Sequence, residues 1–322
     1  MERLIEGKPL RDFIYDHLES TVSRVEIPGK SAVSHGKVRD IFQWSEETLL
    51  IAVSDRVSVF DRVVGTIPFK GQVLNGISNW WMKEVENILP NHLVSVPHKQ
   101  LSIVKKLSPL PVEVIARGYL TGSSDTSILT AYKNGVRTYC GHTLPEGMKP
   151  HTKLERNIIT PTTKGGDDGH DHNTSRDEII SSGLVSEKIY NLVEAAALNL
   201  FETGQKHASA KGLILADTKY EFGLDETGTL YLIDEIHTPD SSRYWYFNDY
   251  EERLSAGNSP RGLDKDTIRH YMQSIGYNGN GPVPEIPSDI RIEAAVKYIN
   301  LYEILTGSNF IPESGGFGNI VP

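Results

Sequence analysis

The stretch from Leu215 to Glu235, LADTKYEFGLDETGTLYLIDE, constrains the fold more than any other part of the chain. Alternation through Leu213, Ile214, Leu215 and Ala216 predicts one strand, and Thr229 to Ile233 predicts a second. Between them, Asp225-Glu226-Thr227-Gly228 carries turn chemistry, with glycine free to take positive φ. Successive side chains on a strand point to opposite faces, so Asp217, Lys219 and Glu221 share one face. The return strand brings Asp234 and Glu235 back to the same region. Neighbouring carboxylates repel, and a divalent cation relieves the repulsion. Magnesium takes one or two carboxylates together with substrate phosphates, and a lysine on the same face suits an anionic oxygen. A hairpin with one solvated, charged face satisfies the same pattern, because one face of an antiparallel sheet is commonly wet.

At 322 residues the chain is too long for one small core, and two or three domains are expected. The formal net charge of −9 argues against a general nucleic-acid binder, whose affinity rests on clustered Lys and Arg. A small anionic ligand stays admissible, since a basic pocket can sit inside an acidic protein. One cysteine, Cys140, cannot close an internal disulfide, which favours a reducing compartment. It follows a tyrosine in a strand-like run without a nucleophile's signature, so packing is the expectation for it. The N-terminus lacks an apolar signal region and no apolar run reaches membrane-spanning length. A soluble, cytoplasmic protein with no membrane partner is expected.

Residues 1 to about 104 read as β-rich with an early helix. Strands are expected at Ile41-Phe42 and Leu49 to Val53, and a helix from Val73 to Ile88. Lys105 to Pro111, KKLSPLP, has the character of a hinge, because prolines interrupt ladders and restrict their preceding residues. A second strand-rich block follows, then a polar loop from Lys164 to Ser175. A helix from Ser186 to about Thr203 has apolar residues at helical spacing and Gly204 at its expected end. Two later helices are expected, Asp264 to Ile275 and Ser288 to Thr306, the second capped by Ser288 and stopped at Gly307.

Several other segments offer polar groups in suggestive order. His35-Gly36-Lys37-Val38-Arg39-Asp40 can lay backbone N–H groups and cations against phosphates, though a surface turn with solvated charges explains it as well. Ser54 to Asp61, SDRVSVFD, suits either a polar ligand or the capping of a turn. In Leu110 to Ser123, LPVEVIARGYLTGS, Val112, Val114 and Ala116 alternate with Glu113, Ile115 and Arg117. That places Glu113 and Arg117 on one side of a strand. Arginine with serine and backbone N–H groups makes a phosphate receptor. Asp240-Ser241-Ser242-Arg243 adds a second arginine beside hydroxyls. His151, His170, Asp171 and His172 lack the spacing of a zinc site.

Taken together, these residues resemble the SAICAR synthetase family of purine biosynthesis. LPVEVIARGYLTGS at 110–123 and LADTKYEFG at 215–223 fit the family's signature patterns. GKVRD at 36–40, SDRVSVFD at 54–61, ITPTTK at 159–164, HDHNTS at 170–175 and DEIHTPDSSRYW at 234–245 follow in the family's order. The resemblance implies an α+β, two-lobed fold similar to ATP-grasp and kinase architectures, with ATP in the cleft between lobes. Residues 1–110 would form an N-terminal β-rich nucleotide-binding lobe and 111–262 an α+β catalytic lobe. Residues 263–322 would be a C-terminal helical region packing on the catalytic lobe.

The resemblance further implies a ligase that joins L-aspartate to carboxyaminoimidazole ribotide (CAIR), using ATP and Mg²⁺. Lys37 and Arg39 would meet the ATP phosphates, and Lys105, Lys106 and Leu107 would flank the adenine. Glu221 and Asp234 would hold Mg²⁺ at the ATP phosphates, with Asp217 close to the metal or CAIR. Lys219 would neutralise charge developing between CAIR and the γ-phosphate. Arg117, Ser123 and Arg243 would grip the CAIR 5′-phosphate. Lys164, with Asp171, would close over the nucleotide or the aspartate. A small-molecule kinase and a binding protein without turnover are the rival readings. The kinase leaves the second phosphate receptor unexplained, and the binding protein would be expected to have lost an acid or a lysine from the 217–234 set. The oligomeric state stays open.

Overall fold

Short alternating strands before residue 106 and longer ones after it build two large antiparallel sheets, each in a separate part of the chain. The computed structural model describes residues 3–124, 126–164, 171–263 and 265–313. The chain divides into two compact units: Met1–Trp80 with Leu93–Lys106 and Leu263–Pro322, and Trp81–His92 with Leu107–Gly262. Strand and helix are mixed in both.

The first unit holds a five-stranded sheet in the order Ala32–His35, Arg39–Gln43, Thr48–Val53, Leu101–Lys105, Leu93–His98. Arg39–Gln43 alternates between half-buried and buried residues. Its inward Phe42 joins Leu50, Ala52, Leu101, Val25 and Ile27 in a core cluster. The hairpin Arg56–Val59/Arg62–Thr66 turns through Phe60 and Asp61, both at positive φ. That is the backbone a two-residue hairpin loop requires. Ser54 and Asp55 serve the chain's own backbone: the Ser54 hydroxyl donates to the Val38 carbonyl, and Asp55 accepts from the N–H groups of Val22 and Gly71. Burial pushes the Asp55 carboxyl up to about 6, against the pull of those two N–H groups and Lys70. Of the two readings of this segment, capping is the one the structure supports.

The C-terminal region differs from expectation. Helix Ser288–Thr306 packs against Leu10–Tyr15 and against Asp266–Ser274, all in the first unit. Arg291 donates to the carbonyls of Leu18 (2.6 Å) and Thr66 (3.0 Å), and Arg3 pairs with Glu303. The two ends of the chain thus pack on one another, and the helices of 263–322 belong to the first unit rather than forming a region of their own. Ser288 is the first helical residue rather than the cap, and Pro287 precedes it with no side-chain cap bond. Gly307, at φ 69°, ends the helix as expected.

The second unit is built on a six-stranded antiparallel sheet. Its order is His172–Asn173, Lys153–Thr163, Ser108–Tyr119, Leu213–Leu224, Leu230–Ile233, and Ser242–Tyr246 also pairs with Leu213–Leu224. Helix Glu187–Ala210, capped by the Ser186 hydroxyl, buries Tyr190, Val193, Ala197, Leu200, Phe201, Gly204 and Ala208. It runs through the expected stop at Gly204. A Cβ there would lie 2.5 Å from His237 Cε1 and 2.8 Å from Leu215 Cδ2, so this glycine permits close approach and does not end the helix.

Candidate active site

Strand Leu213–Leu224 is the spine of the site, and its register explains how one strand serves two faces. Leu215 points at the helix, beside Gly204. Pairing with Ser242–Tyr246 then slips between Leu215 and Asp217, leaving Ala216 as the extra residue of a bulge. Beyond the slip the parity is reversed. Tyr220 now faces the helix side, its hydroxyl 2.5 Å from His237 Nε2, while Asp217, Lys219 and Glu221 line the opposite face. The turn after Leu224 is closed by the Asp225 carboxylate, which accepts from the N–H groups of Thr227 and Thr229. Gly228 sits at φ 80°.

Cross-strand pairing arranges this polar face in rows. One row carries Ile158, Arg117, Asp217 and Arg243; the next Thr160, Ile115 and Lys219; the third Asn173, Thr162, Glu113, Glu221 and Ile233. Two strand residues separate successive rows, so about 13 Å separates the first from the third. At one end, Asp217 is buried and its Oδ2 accepts from Arg117 Nη1 at 3.2 Å and Arg243 Nη1 at 2.6 Å. Arg117 Nε donates to Thr160 Oγ1 at 2.8 Å. Two guanidinium groups gathered on one carboxylate concentrate oriented positive charge at this end of the face, which is the chemistry an oxyanion needs. At the other end, Lys219 Nζ lies 2.6 Å from Glu221, 2.8 Å from Glu113 and 3.7 Å from Asp234. Asp234 is at φ 62°, where the chain leaves Leu230–Ile233.

The charges at this end shape one another. Burial opposes the charge on Lys219, but Asp234, Glu221 and Glu113 outweigh it and hold the ammonium well above its ordinary value. Burial likewise opposes ionisation of Glu221, yet Lys219 and Lys164 bring its carboxyl down to about 2. Glu113 is raised, chiefly by burial, with Lys219 pulling down and Glu221 and Asp171 pushing up. Glu221 and Asp234 converge on the same ammonium, and two carboxylates completed by phosphate oxygens are a donor set that magnesium accepts. Among the described residues, no group of three or more His, Cys, Asp or Glu is disposed to hold a metal by itself. Of the residues weighed for zinc, His151, Asp171 and His172 are among the described residues and His170 lies outside them.

A family model described as SAICAR synthetase matches residues 32–285. The chain belongs to the SAICAR synthetase family. It is 44% identical over 280 residues to the phosphoribosylaminoimidazole-succinocarboxamide synthase of Legionella pneumophila, covering 87% of this chain and 89% of that one. A chloroplastic synthase of the same description from Arabidopsis thaliana is 44% identical over 300 residues, covering 93% of this chain and 72% of the relative. Among solved structures, the Saccharomyces cerevisiae SAICAR-synthase complexed with SAICAR superposes with a TM-score of 0.77. It is 33% identical, with 90% of this chain and 99% of that one covered.

Within this SAICAR synthetase scaffold, the residues singled out in the sequence fall into distinct groups. Arg117, Asp217 and Arg243 come together, as do Lys219, Glu221, Asp234 and Lys164, the last ion-paired with Glu221. Asp217 sits on the arginines rather than beside the Glu221–Asp234 pair. Ser123 is exposed, just past strand Ser108–Tyr119, and Asp171 is exposed at the start of the segment leading to His172–Asn173. Lys37 is exposed and ion-paired with Asp61, and Arg39 opens strand Arg39–Gln43. Lys105 ends its strand, Lys106 donates to Gln43 Oε1 at 3.2 Å, and Leu107 begins the second unit. Among the members of the polar face not anticipated as site residues, Glu113 and Thr160 bond directly to its charged groups. The alternation that placed Glu113 beside Arg117 was the available signal for the first; nothing in ITPTTK distinguished the second.

Cys140 is not in a strand. It occupies the turn between Thr138–Tyr139 and His142–Thr143 at positive φ, and burial lifts its thiol to about 11, which leaves it unreactive. No helix among the described residues is long and apolar enough to cross a membrane.

Proposed function

We infer that this protein is a SAICAR synthetase: it joins L-aspartate to CAIR through an amide, with ATP converted to ADP and phosphate. The observation that carries the reading is the polar face itself. Two arginines gathered on Asp217 stand at one end and a lysine ringed by carboxylates at the other, an arrangement that suits a substrate with a phosphate and a distant reacting carboxylate.

Amide formation from a free carboxylate needs activation, because direct attack by an amine would have to expel oxide. In the proposed course, a CAIR carboxylate oxygen takes the γ-phosphoryl group of ATP, giving an acyl phosphate and ADP. The aspartate amine then attacks the acyl carbon, phosphate leaves with its electron pair, and the nitrogen gives up its proton. Such chemistry asks the protein chiefly for positioning and charge neutralisation. Arg117, Arg243 and Ser123 are assigned to the 5′-phosphate, with Asp217 orienting the two arginines. Lys219 is assigned to the charge that builds between the CAIR carboxylate and the γ-phosphate. Glu221 and Asp234 would hold Mg²⁺, which supplies neutralisation of the phosphate oxygens. Lys37 and Arg39 are assigned to ATP phosphates, Lys105, Lys106 and Leu107 to adenine, and Lys164 with Asp171 to the nucleotide or aspartate. The mixed strand-and-helix architecture is read as ATP-grasp or kinase-like, which bears on nucleotide use and not on the acceptor. The single cysteine suits a reducing compartment such as the cytoplasm.

The test is phosphate release by the purified protein with ATP, Mg²⁺ and CAIR, with and without L-aspartate. Release that needs both, matched by the succinocarboxamide, is expected. Release with CAIR that ignores aspartate would make the protein a phosphotransferase, and no release would defeat the reading.

A further inference from the structure

Three carboxylates surround Lys219 Nζ, but they are not equivalent. Glu221 and Asp234 are the pair assigned to the metal; Glu113 stands on the neighbouring strand Ser108–Tyr119 and has no role in that assignment. Mg²⁺ draws carboxylate oxygens into its own shell at about 2.0–2.1 Å. An oxygen so engaged gives less to an ammonium. Metal binding therefore weakens two of the three contacts of Lys219 and leaves the third untouched.

Local bonding points the same way. Glu221 divides its oxygens between Lys164 and Lys219, so it has another cation when it turns away. For Glu113, Lys219 is the sole hydrogen-bond donor among the described residues, at 2.8 Å. The hydroxyl of Thr162, directly across the ladder from Glu113, has no hydrogen-bond partner among the described residues and gives it no alternative. Lys219 lies diagonal to Glu113 in the ladder, opposite Ile115, a separation long side chains bridge readily. Both side chains are largely shielded from water, at 18% and 26% exposure, which strengthens their attraction.

We propose that Glu113 is the positioning residue of Lys219: it holds the ammonium over the polar face once Glu221 and Asp234 are committed to the metal. The proposal rests on the metal assignment made above. Glu113 itself touches neither metal nor nucleotide.

The test compares wild type, Glu113→Ala and Glu113→Gln, each checked for a native circular-dichroism spectrum. Manganese affinity in the presence of ADP, read by electron paramagnetic resonance, should be the same in all three. Glu113→Ala should lower kcat about 10- to 100-fold, the range for outer-sphere partners, without raising KM for CAIR. Glu113→Gln, which keeps an acceptor and loses the charge, should recover part of the rate. Weakened manganese binding would make Glu113 a ligand, a raised KM at constant kcat would make it a substrate contact, and an unchanged kcat would make it a bystander; each overturns the proposal. A crystal structure of wild type with Mg²⁺ and ADP adds a readout independent of turnover. Nζ of Lys219 should remain on Glu113, and finding it on Glu221 instead would sink the idea. That readout stands even if the acceptor is not CAIR, so the two readings fail separately.

Discussion

At the scale of single residues, Glu221 on strand Leu213–Leu224 and Asp234 just past Leu230–Ile233 approach one ammonium. Glu221 is held ionised by two lysines, and Asp234 reaches the same ammonium from a strained backbone position. Alanine at either position should cost about 100- to 1000-fold in turnover, the scale of a lost electrostatic contact in a shielded site. The fold should persist, because Lys219 retains Glu113 and one other carboxylate; retained activity in both variants would defeat the metal assignment. His237 makes a different kind of prediction. Burial, with His207 adding to it, lowers its pKa to about 3, and its Nδ1 has no partner among the described residues. A base with a depressed folded pKa binds protons more readily when unfolded. Its contribution is whole above the ordinary value near 6.5 and is lost as pH falls toward 3, a difference of roughly 5 kcal/mol at most. Urea midpoints should therefore fall steadily across that window. In His237→Gln the slope there should flatten, and an unaltered slope would place the acid sensitivity elsewhere.

Elements were legible in the sequence where periodicity and caps agreed, and less so where tertiary contact overrode them. The strand pattern placed Asp217, Lys219 and Glu221 on one face and Arg117 beside Glu113, because a period of two is fixed by the backbone. The bulge at Ala216 was not legible: LILAD contains no glycine, and only pairing with Ser242–Tyr246 reveals the slip. Without it, Leu215 and Lys219 would share a face, and either the core or the site would be lost. Helix Glu187–Ala210 shows the same limit in another form. Gly204 reads as a stop when only the local chain is considered, yet it is the point where His237 and Leu215 press closest. Gly204→Ala would raise intrinsic helix propensity and nevertheless destabilise, since a methyl group cannot share that space with a buried imidazole. A loss of about 1–3 kcal/mol is expected, the usual range for overpacking, measured by urea unfolding. A gain in stability would mean that the helix and His237 can separate at little cost.

At the scale of the whole molecule, the order of the chain and the composition of its units do not coincide. The second unit is not the continuous segment 107–262 but includes Trp81–His92, contributed from within the first unit's sequence. Those residues supply parts that the segment cannot replace. The Trp81 ring lies edge-on to His237 at 4.5 Å and is 1% exposed. Leu232, on the strand leading to Asp234, exchanges backbone hydrogen bonds with Pro90 (2.9 Å) and His92 (3.1 Å). Removing 81–92 would open a cavity the size of a tryptophan and strip two ladder bonds from the edge strand. Loss of a buried Trp alone costs about 3–5 kcal/mol, a large share of the 5–15 kcal/mol that typically holds a domain together. A fragment of residues 107–262 should therefore lack a cooperative thermal transition by near-ultraviolet circular dichroism. A fragment of 81–262, with 93–106 replaced by a flexible Gly/Ser linker, should recover one. If both melted alike, Trp81 and the Leu232 pairing would be incidental to the unit, and the geometry of the Asp234 turn would have to rest on contacts within 107–262, such as those among Tyr220, His237 and Tyr244.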